Sequence, residues 1–98
     1  MKQLSFRTPD EFSEFFKAKN PELTNTISNA IREAMSFNKK TAQLFEISFE
    51  GVDTVFEISL TKNQWVVALE NCLSHYEEWQ MGDDAIDTYL LIKDVKAW

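Results

Sequence analysis

The chain has 98 residues, of which 44% are hydrophobic and 27% charged, and its formal net charge is −6. This length is that of one small domain, so we expect residues 1–98 to form a single domain around one modest core. With two glycines, one cysteine and one histidine, the composition excludes glycine-rich phosphate loops, disulfide scaffolds and the usual zinc sites.

The chain shows no targeting or membrane segment that sequence patterns would identify. Its first residues, MKQLSFR, lack the apolar core of a signal peptide. No apolar run approaches the ~18 residues of a membrane span. The single cysteine is typical of a reducing compartment. We therefore expect a soluble, cytoplasmic protein.

Two helices are predicted in the first forty residues. Thr8–Glu11 is a capping box with proline at the first helical position, and it begins a helix over about 9–18 whose inner face holds three phenylalanines. Asn20 and Pro21 begin a second helix in the same way. Apolar residues at the helical period extend it to about residue 37.

A hairpin is predicted next, because the hydrophobic period changes to two. The inward residues of the two strands are Phe45, Ile47 and Phe49, then Phe56, Ile58 and Leu60. This predicts two antiparallel strands with one apolar face. A two-stranded hairpin is marginal alone, so that face must pack on the helices.

The turn decides which acidic residues of the hairpin meet. A tight turn centred on Gly51–Val52 sets Glu46 opposite Glu57, and Glu50 opposite Asp53. Like charges that face each other across strands are destabilising. A longer loop would instead place Glu46 and Glu57 beside serines. The tight turn therefore predicts an acidic outer face that either a basic partner or the lysines of the first half would relieve.

Two more helices are predicted in the last third of the chain. The capping box Thr61–Gln64 begins a helix with an apolar stripe to about Trp79, which Gly82 should end. Asp83 then caps a helix over about 84–96. The residues expected to face inward are Ile86, Tyr89, Leu90 and Val95.

The fold class predicted from these elements is α+β, in the order helix–helix–β-hairpin–helix–helix, with antiparallel strands packed on helices. The secondary structure of residues 89–92 is left undecided between helix and strand, because the run Tyr89–Ile92 also fits a short strand.

Little in the sequence supports a catalytic site or a metal site. Cys72 and His75 share a helix face and have the chemistry of a nucleophile and its base. Cys72, however, falls in the apolar stripe, where a free cysteine packs as a small hydrophobe. His75 with Glu78 makes a poor metal site. We therefore expect no enzyme, no metal and no cofactor.

The charge is unevenly distributed along the chain. Residues 1–40 sum to +2, whereas residues 41–92 hold ten acidic side chains and only Lys62, a sum of −9. Phosphates would be repelled by the acidic part, so direct nucleic-acid binding is disfavoured. A basic protein partner is favoured, because opposite fields speed and orient association. The alternative is that the acidity only maintains solubility.

The candidate partner-binding residues follow from this charge pattern. Aromatic rings among carboxylates suit an interface with Arg or Lys side chains. Trp79 lies off the apolar stripe, so it either belongs to such an interface or fills the edge of the core. The candidates are Glu46, Glu50, Asp53, Glu57, Glu70, Glu77, Glu78, Trp79, Asp83, Asp84 and Asp87.

Residues 68–79, ALENCLSHYEEW, followed by 83–92, DDAIDTYLLI, resemble the acidic, aromatic helix pairs of small bacterial immunity proteins. The family in question protects against contact-dependent growth inhibition toxins. The resemblance implies a cytoplasmic bacterial protein that neutralises one cognate nuclease toxin without catalysis. Two alternatives stay open: a phage-type nucleic-acid mimic or anti-CRISPR-like inhibitor of a basic DNA-binding protein, and a plain adaptor or structural subunit.

Overall fold

The computed structural model describes residues 2–18 and 20–98, without the side chains of Lys2 and Lys17. These residues form an α+β fold with four helices and a three-stranded mixed sheet. The elements in chain order are β1 (Lys2–Phe6), α1 (Pro9–Lys17), α2 (Pro21–Ser36), β2 (Thr41–Phe49), β3 (Phe56–Thr61), α3 (Lys62–Glu78) and α4 (Gly82–Ala97).

The first two helices begin where their capping residues predict. The Thr8 hydroxyl accepts from the Glu11 amide at 3.3 Å, and the Glu11 carboxylate accepts from the Arg7 amide at 3.3 Å. The Asn20 side chain accepts from the Glu22 amide at 2.9 Å. These bonds satisfy amides that have no partner within a helix, so the local sequence is enough to fix both starts.

The strand β1 was not predicted, and it corrects the expectation of a purely antiparallel sheet. It pairs in parallel with β2, from Lys2 opposite Phe45 to Phe6 opposite Phe49, and the strand order is β1-β2-β3. Leu4 and Phe6 do alternate with polar residues, but five residues give a weak period. The pairing also spans two helices, so local pattern could not reveal it.

The predicted hairpin register is confirmed at its centre. Phe45 lies opposite Ile58, and Glu46 opposite Glu57. Nearer the start of β2 the register shifts by one residue between Gln43 and Phe45. Leu44 is the extra residue, and this bulge lets Leu44 and Phe45 both be buried.

The predicted turn at Gly51–Val52 is wrong. The Val52 amide donates to the Phe49 carbonyl at 3.1 Å, so Glu50 and Gly51 are the central residues of the turn. Gly51 has a φ of +79°, which glycine adopts without strain. The ladder ends at Ile47 and Phe56, and a longer loop joins the strands.

The last two predicted helices are confirmed, with two corrections. The helix α3 begins with the Gln64 side chain accepting from the Thr61 amide at 2.9 Å. Gln80, not Gly82, ends α3 in the left-handed conformation at φ 58°. The Met81 amide then donates to the Tyr76 carbonyl at 2.9 Å, as at many helix C-termini. Gly82 is already the first residue of α4.

The inward face predicted for α4 is mostly wrong. Residues 89–92 are helical, so the alternative strand is excluded. Val95 is buried as expected, but Ile86, Tyr89 and Leu90 are exposed. The buried residues are Thr88, Leu91, Ile92 and Val95. Both faces of α4 carry apolar side chains, so its sequence alone did not say which face packs.

Two groups of side chains form the interior. Around the sheet, Leu23, Leu44, Phe45 and Ile47 are buried and are surrounded by half-buried phenylalanines of β1, α1 and β2. Between the helices, a second group includes Ile31, Trp65, Leu69, Ile92 and Val95. The helix α2 joins them, because Ile27 and Ala30 pack against both groups.

Candidate protein-binding surface

Glu46 and Glu57 face each other on the outer side of the sheet, as the register requires. Each is bonded to a glutamine amide on a neighbouring strand. The Gln3 amide donates to Glu46 at 3.1 Å, and the Gln43 amide donates to Glu57 at 3.0 Å. Each carboxylate therefore accepts a hydrogen bond from a neutral donor within the sheet, which offsets part of their mutual repulsion.

This arrangement was not among the two explanations weighed from the sequence. Gln3 is 43 residues from Glu46 and reaches it only because β1 pairs with β2. Among the first-half lysines considered for this role, the side chains of Lys2 and Lys17 and the whole of Lys19 lie outside the described residues. The sequence signal that could have indicated this arrangement is the presence of Gln3 and Gln43 at exposed positions of β1 and β2.

Glu50 and Asp53 do not face each other across a ladder, contrary to the prediction. Both are exposed in the loop between β2 and β3. The Glu50 amide donates to the Phe6 carbonyl at 3.0 Å, which ties this loop to β1. Glu50 lies at one end of the sheet, where it lines a cleft together with Arg7 and Glu11.

The other acidic candidates lie on the α3–α4 hairpin. Glu70, Glu77 and Glu78 are exposed on α3. Glu70 and Glu77 are seven residues apart and so lie on one side of the helix, about 10.5 Å apart along its axis. Residues 63–92, which cover most of both helices, contain no Lys or Arg. The outer surface of this hairpin is therefore strongly acidic.

Three aspartates begin α4, beside the end of α3. Asp83 and Asp84 stand in its first turn, where the helix dipole favours negative charge. Asp83 and Asp87 are exposed and Asp84 is half-buried. Only residues 79–81 separate the two helices, so the structure brings these aspartates close to Glu77 and Glu78. It does not bring them together with the sheet pair Glu46 and Glu57.

Trp79 is half-buried at the C-terminal end of α3. Its ring lies 5.4 Å from that of His75 and 6.2 Å from that of Tyr76. It therefore covers the edge of the helical core and still presents part of its surface beside the acidic residues. The core-edge interpretation describes the buried part of the ring, and a role of Trp79 in an interface stays a prediction.

Cys72 and His75 belong to a polar seam between α2 and α3. The Cys72 thiol is buried and donates to the Thr24 carbonyl at 3.7 Å. The Thr24 hydroxyl and His75 Nδ1 are 3.3 Å apart, and the Tyr76 hydroxyl donates to Asn25. Burial raises the pKa of Cys72 to about 11. The thiol is therefore protonated at neutral pH and lacks the thiolate that a nucleophile needs.

The sequence interpretation missed the exposed apolar residues of α4. Ile86, Tyr89 and Leu90 follow each other at helical spacing on the outer face, and their exposed fractions are 61%, 50% and 51%. The sequence signal that could have shown this is that α4 has more apolar residues than one buried face can hold.

In the described residues, no three His, Cys, Asp or Glu side chains are grouped so as to hold a metal ion.

Comparisons with known proteins leave the resemblance to immunity proteins a prediction. Within residues 2–18 and 20–98, none of the helices combines the length and the apolar character that crossing a bilayer requires. No protein-family model matches the chain, and no curated protein or solved structure is significantly similar to it.

Proposed function

We propose that this chain is a non-enzymatic inhibitor that binds one basic protein through the acidic α3–α4 hairpin. The partner proposed is a nuclease toxin domain, so the protein would act as a cytoplasmic bacterial immunity protein. One observation carries the proposal: Glu70, Glu77, Asp83 and Asp87 are exposed on this hairpin, and residues 63–92 contain no Lys or Arg.

The chemistry of nucleases explains the choice of partner. An enzyme that grips phosphates presents Lys and Arg side chains around its active site. An acidic surface accelerates the encounter with such a site and orients it. Trp79 adds an aromatic surface beside Glu77 and Glu78, and aromatic residues are enriched at the centres of interfaces.

A nuclease assay after partner capture tests the proposal. The protein is immobilised and exposed to lysate of its own source at about 0.15 M salt, where charges beyond ~8 Å are screened. We expect one captured protein at a stoichiometric amount. We also expect its nuclease activity to be abolished by an equimolar amount of the wild-type chain.

Two matched variants then locate the surface. E70Q/E77Q and E46Q/E57Q each remove two charges, from α3 and from the sheet respectively. We expect E70Q/E77Q to slow association at low salt by at least about threefold, because it weakens the steering field. We expect E46Q/E57Q to leave the rate within about twofold.

Other results would contradict the proposal in distinct ways. Several basic DNA-binding proteins that wash off together as salt rises would favour a nucleic-acid mimic. An empty column would favour an adaptor or structural subunit. Capture of one nuclease with equal effects of both variants would remove the hairpin as the binding surface.

A further inference from the structure

The outer face of α4 exposes a row of apolar side chains among charged ones. Ile86, Tyr89 and Leu90 are each at least half exposed, although the opposite face of the same helix is buried. Adjacent exposed apolar residues with polar neighbours mark interaction sites.

This face continues into a groove between α2 and α4. The groove has a volume of about 370 Å³, and Arg32, Asp87, Leu90, Leu91 and Asp94 line it. Leu91 is buried and forms the base, while Leu90 is half exposed at the rim. Asp87 and Asp94 are seven residues apart, so they lie on one side of α4 about 10.5 Å apart along the axis.

The outer face and the flank that borders the groove differ in charge. Asp87 and Asp94 lie on that flank. Lys93 lies on the outer face itself, one turn after Tyr89 and Leu90, with its ammonium 5.3 Å from the centre of the Tyr89 ring. The Arg32 guanidinium on the far wall of the groove donates to Asn29 of its own helix at 3.0 Å. The groove therefore combines an apolar base with two regularly spaced carboxylates on one wall and a guanidinium on the other.

A second copy docked as an antiparallel helix pair would fit the groove poorly. In a two-fold antiparallel pair of helices, each flank meets the same flank of the other copy. Asp87 and Asp94 would then face the aspartates of the second α4, which is unfavourable. A helix that presents lysines or arginines two turns apart, with an apolar residue between them, matches both the spacing and the charge.

We infer that the α2–α4 groove binds an amphipathic basic helix of the partner protein. The apolar side chain of that helix packs on Leu90 and Leu91, and its basic side chains bond Asp87 and Asp94. This inference rests on the proposed function for the existence of a basic partner. It adds that apolar contacts on α4 hold the complex together, whereas the α3 carboxylates mainly govern the rate of encounter.

A model peptide tests the groove without the natural partner. The probe is a synthetic amphipathic helix of about five turns, with leucines on one face and lysines at positions i and i+7 beside them. A peptide with glutamates in place of the lysines is its control. Binding to the full chain is followed by amide chemical shifts in two-dimensional NMR.

We expect the lysine peptide to bind and to shift the amide signals of α2 and α4 around the groove. L90D should weaken binding at least about tenfold, because a carboxylate would replace the apolar contact. D87N/D94N keeps the apolar row and should weaken binding about threefold or more at low salt. V67D is the matched control, because Val67 is 64% exposed on α3, and it should change affinity by less than about twofold.

Several results would overturn the inference. The first is absence of binding at about 1 mM peptide, which would mean a binding free energy weaker than ~4 kcal/mol. The second is equal binding of the glutamate peptide. The third is an equal loss of affinity for L90D and V67D. Self-association of the free chain that L90D abolishes would assign the groove to a second copy. Circular dichroism of each variant establishes that the helices persist.

The natural partner separates this inference from the proposed function. If E70Q/E77Q slows binding of a captured nuclease but L90D leaves its dissociation unchanged, the groove is wrong and the function stands. If the lysine peptide binds at the groove but no nuclease is captured, the function is wrong and the groove stands.

Discussion

The sheet and the helical layer are built from different side chains. Around the sheet, seven of the eight phenylalanines meet through ring contacts, such as the T-shaped pair Phe12–Phe16 at 4.7 Å. Between α2, α3 and α4, aliphatic residues pack around Trp65, which is fully buried. Contacts between aromatic rings, most of them half-buried, distinguish the first region, and aliphatic packing around a buried indole distinguishes the second.

The two regions also differ in how they hold negative charge. On the sheet, Gln3 and Gln43 donate to Glu46 and Glu57 from neighbouring strands. On the α3–α4 hairpin, residues 63–92 hold the exposed carboxylates from Glu70 to Asp87 and contain no Lys or Arg. The same residue type is therefore structural in one region and a candidate for binding in the other, which net charge alone did not separate.

Replacing Trp65 by alanine should have the largest effect on stability. Its ring stacks on that of Trp98 at 5.7 Å, and its indole nitrogen donates to the Leu60 carbonyl at 2.9 Å. We expect W65A to lower the free energy of unfolding by about 3–5 kcal/mol, because it leaves a large cavity. Urea unfolding followed by circular dichroism measures this value.

The variant in the sheet region that is compared with W65A is F56A. Phe56 is a β3 residue at the open side of the aromatic group and is 44% exposed. We expect it to cost about 1 kcal/mol. An equal loss for W65A and F56A would contradict the contrast between the two regions.

Cys72 should make the helical layer sensitive to alkaline pH. Burial raises its pKa from 9.0 to about 11, so the unfolded chain loses the thiol proton at a lower pH than the folded chain. Its contribution to stability is complete below about pH 9 and is lost as the pH rises through about 11, by up to roughly 2–3 kcal/mol. The measurement is urea unfolding at pH 8 and pH 10.5.

C72A is the control for this pH effect. Burial also raises the pKa of Tyr76, and the charge of Cys72 raises it further. The difference between the two proteins therefore reports the thiol together with its effect on Tyr76. Parallel losses of stability with rising pH in the wild type and in C72A would show that the thiol proton does not matter.

The smallest effect is expected for E46Q/E57Q. Each introduced amide keeps an oxygen that can accept from Gln3 or Gln43, and the repulsion across the strands disappears. Stability should be unchanged or higher by up to about 0.5 kcal/mol. E50Q/D53N in the exposed loop is the control. A clear loss for E46Q/E57Q alone would mean that the carboxylates are bonded more strongly than the geometry indicates.

Much of the secondary structure could be predicted because it depends on neighbours in the chain. Thr8, Asn20 and Thr61 mark helix starts through bonds that span a few residues. The alternation around Phe45 and Ile58 fixes the central register of the hairpin, since a slip by one residue would turn its apolar side outward. The acidic residues of the α3–α4 hairpin could likewise be identified from the charge pattern of the sequence alone.

Tertiary packing decided the remainder. The pairing of β1 with β2, and with it the bond from Gln3 to Glu46, joins segments more than forty residues apart. The bulge at Leu44 adapts one strand to two buried neighbours.

In α4, two apolar faces competed for the core, and contact with α2 and α3 selected Leu91, Ile92 and Val95. Ile86, Tyr89 and Leu90 were left at the surface. The sequence by itself thus determined the helices, the hairpin and the sign of the charge, because these depend on local bonds and composition. Only the tertiary structure decided which carboxylates are satisfied internally and which apolar face is open, because both depend on neighbours distant in the chain.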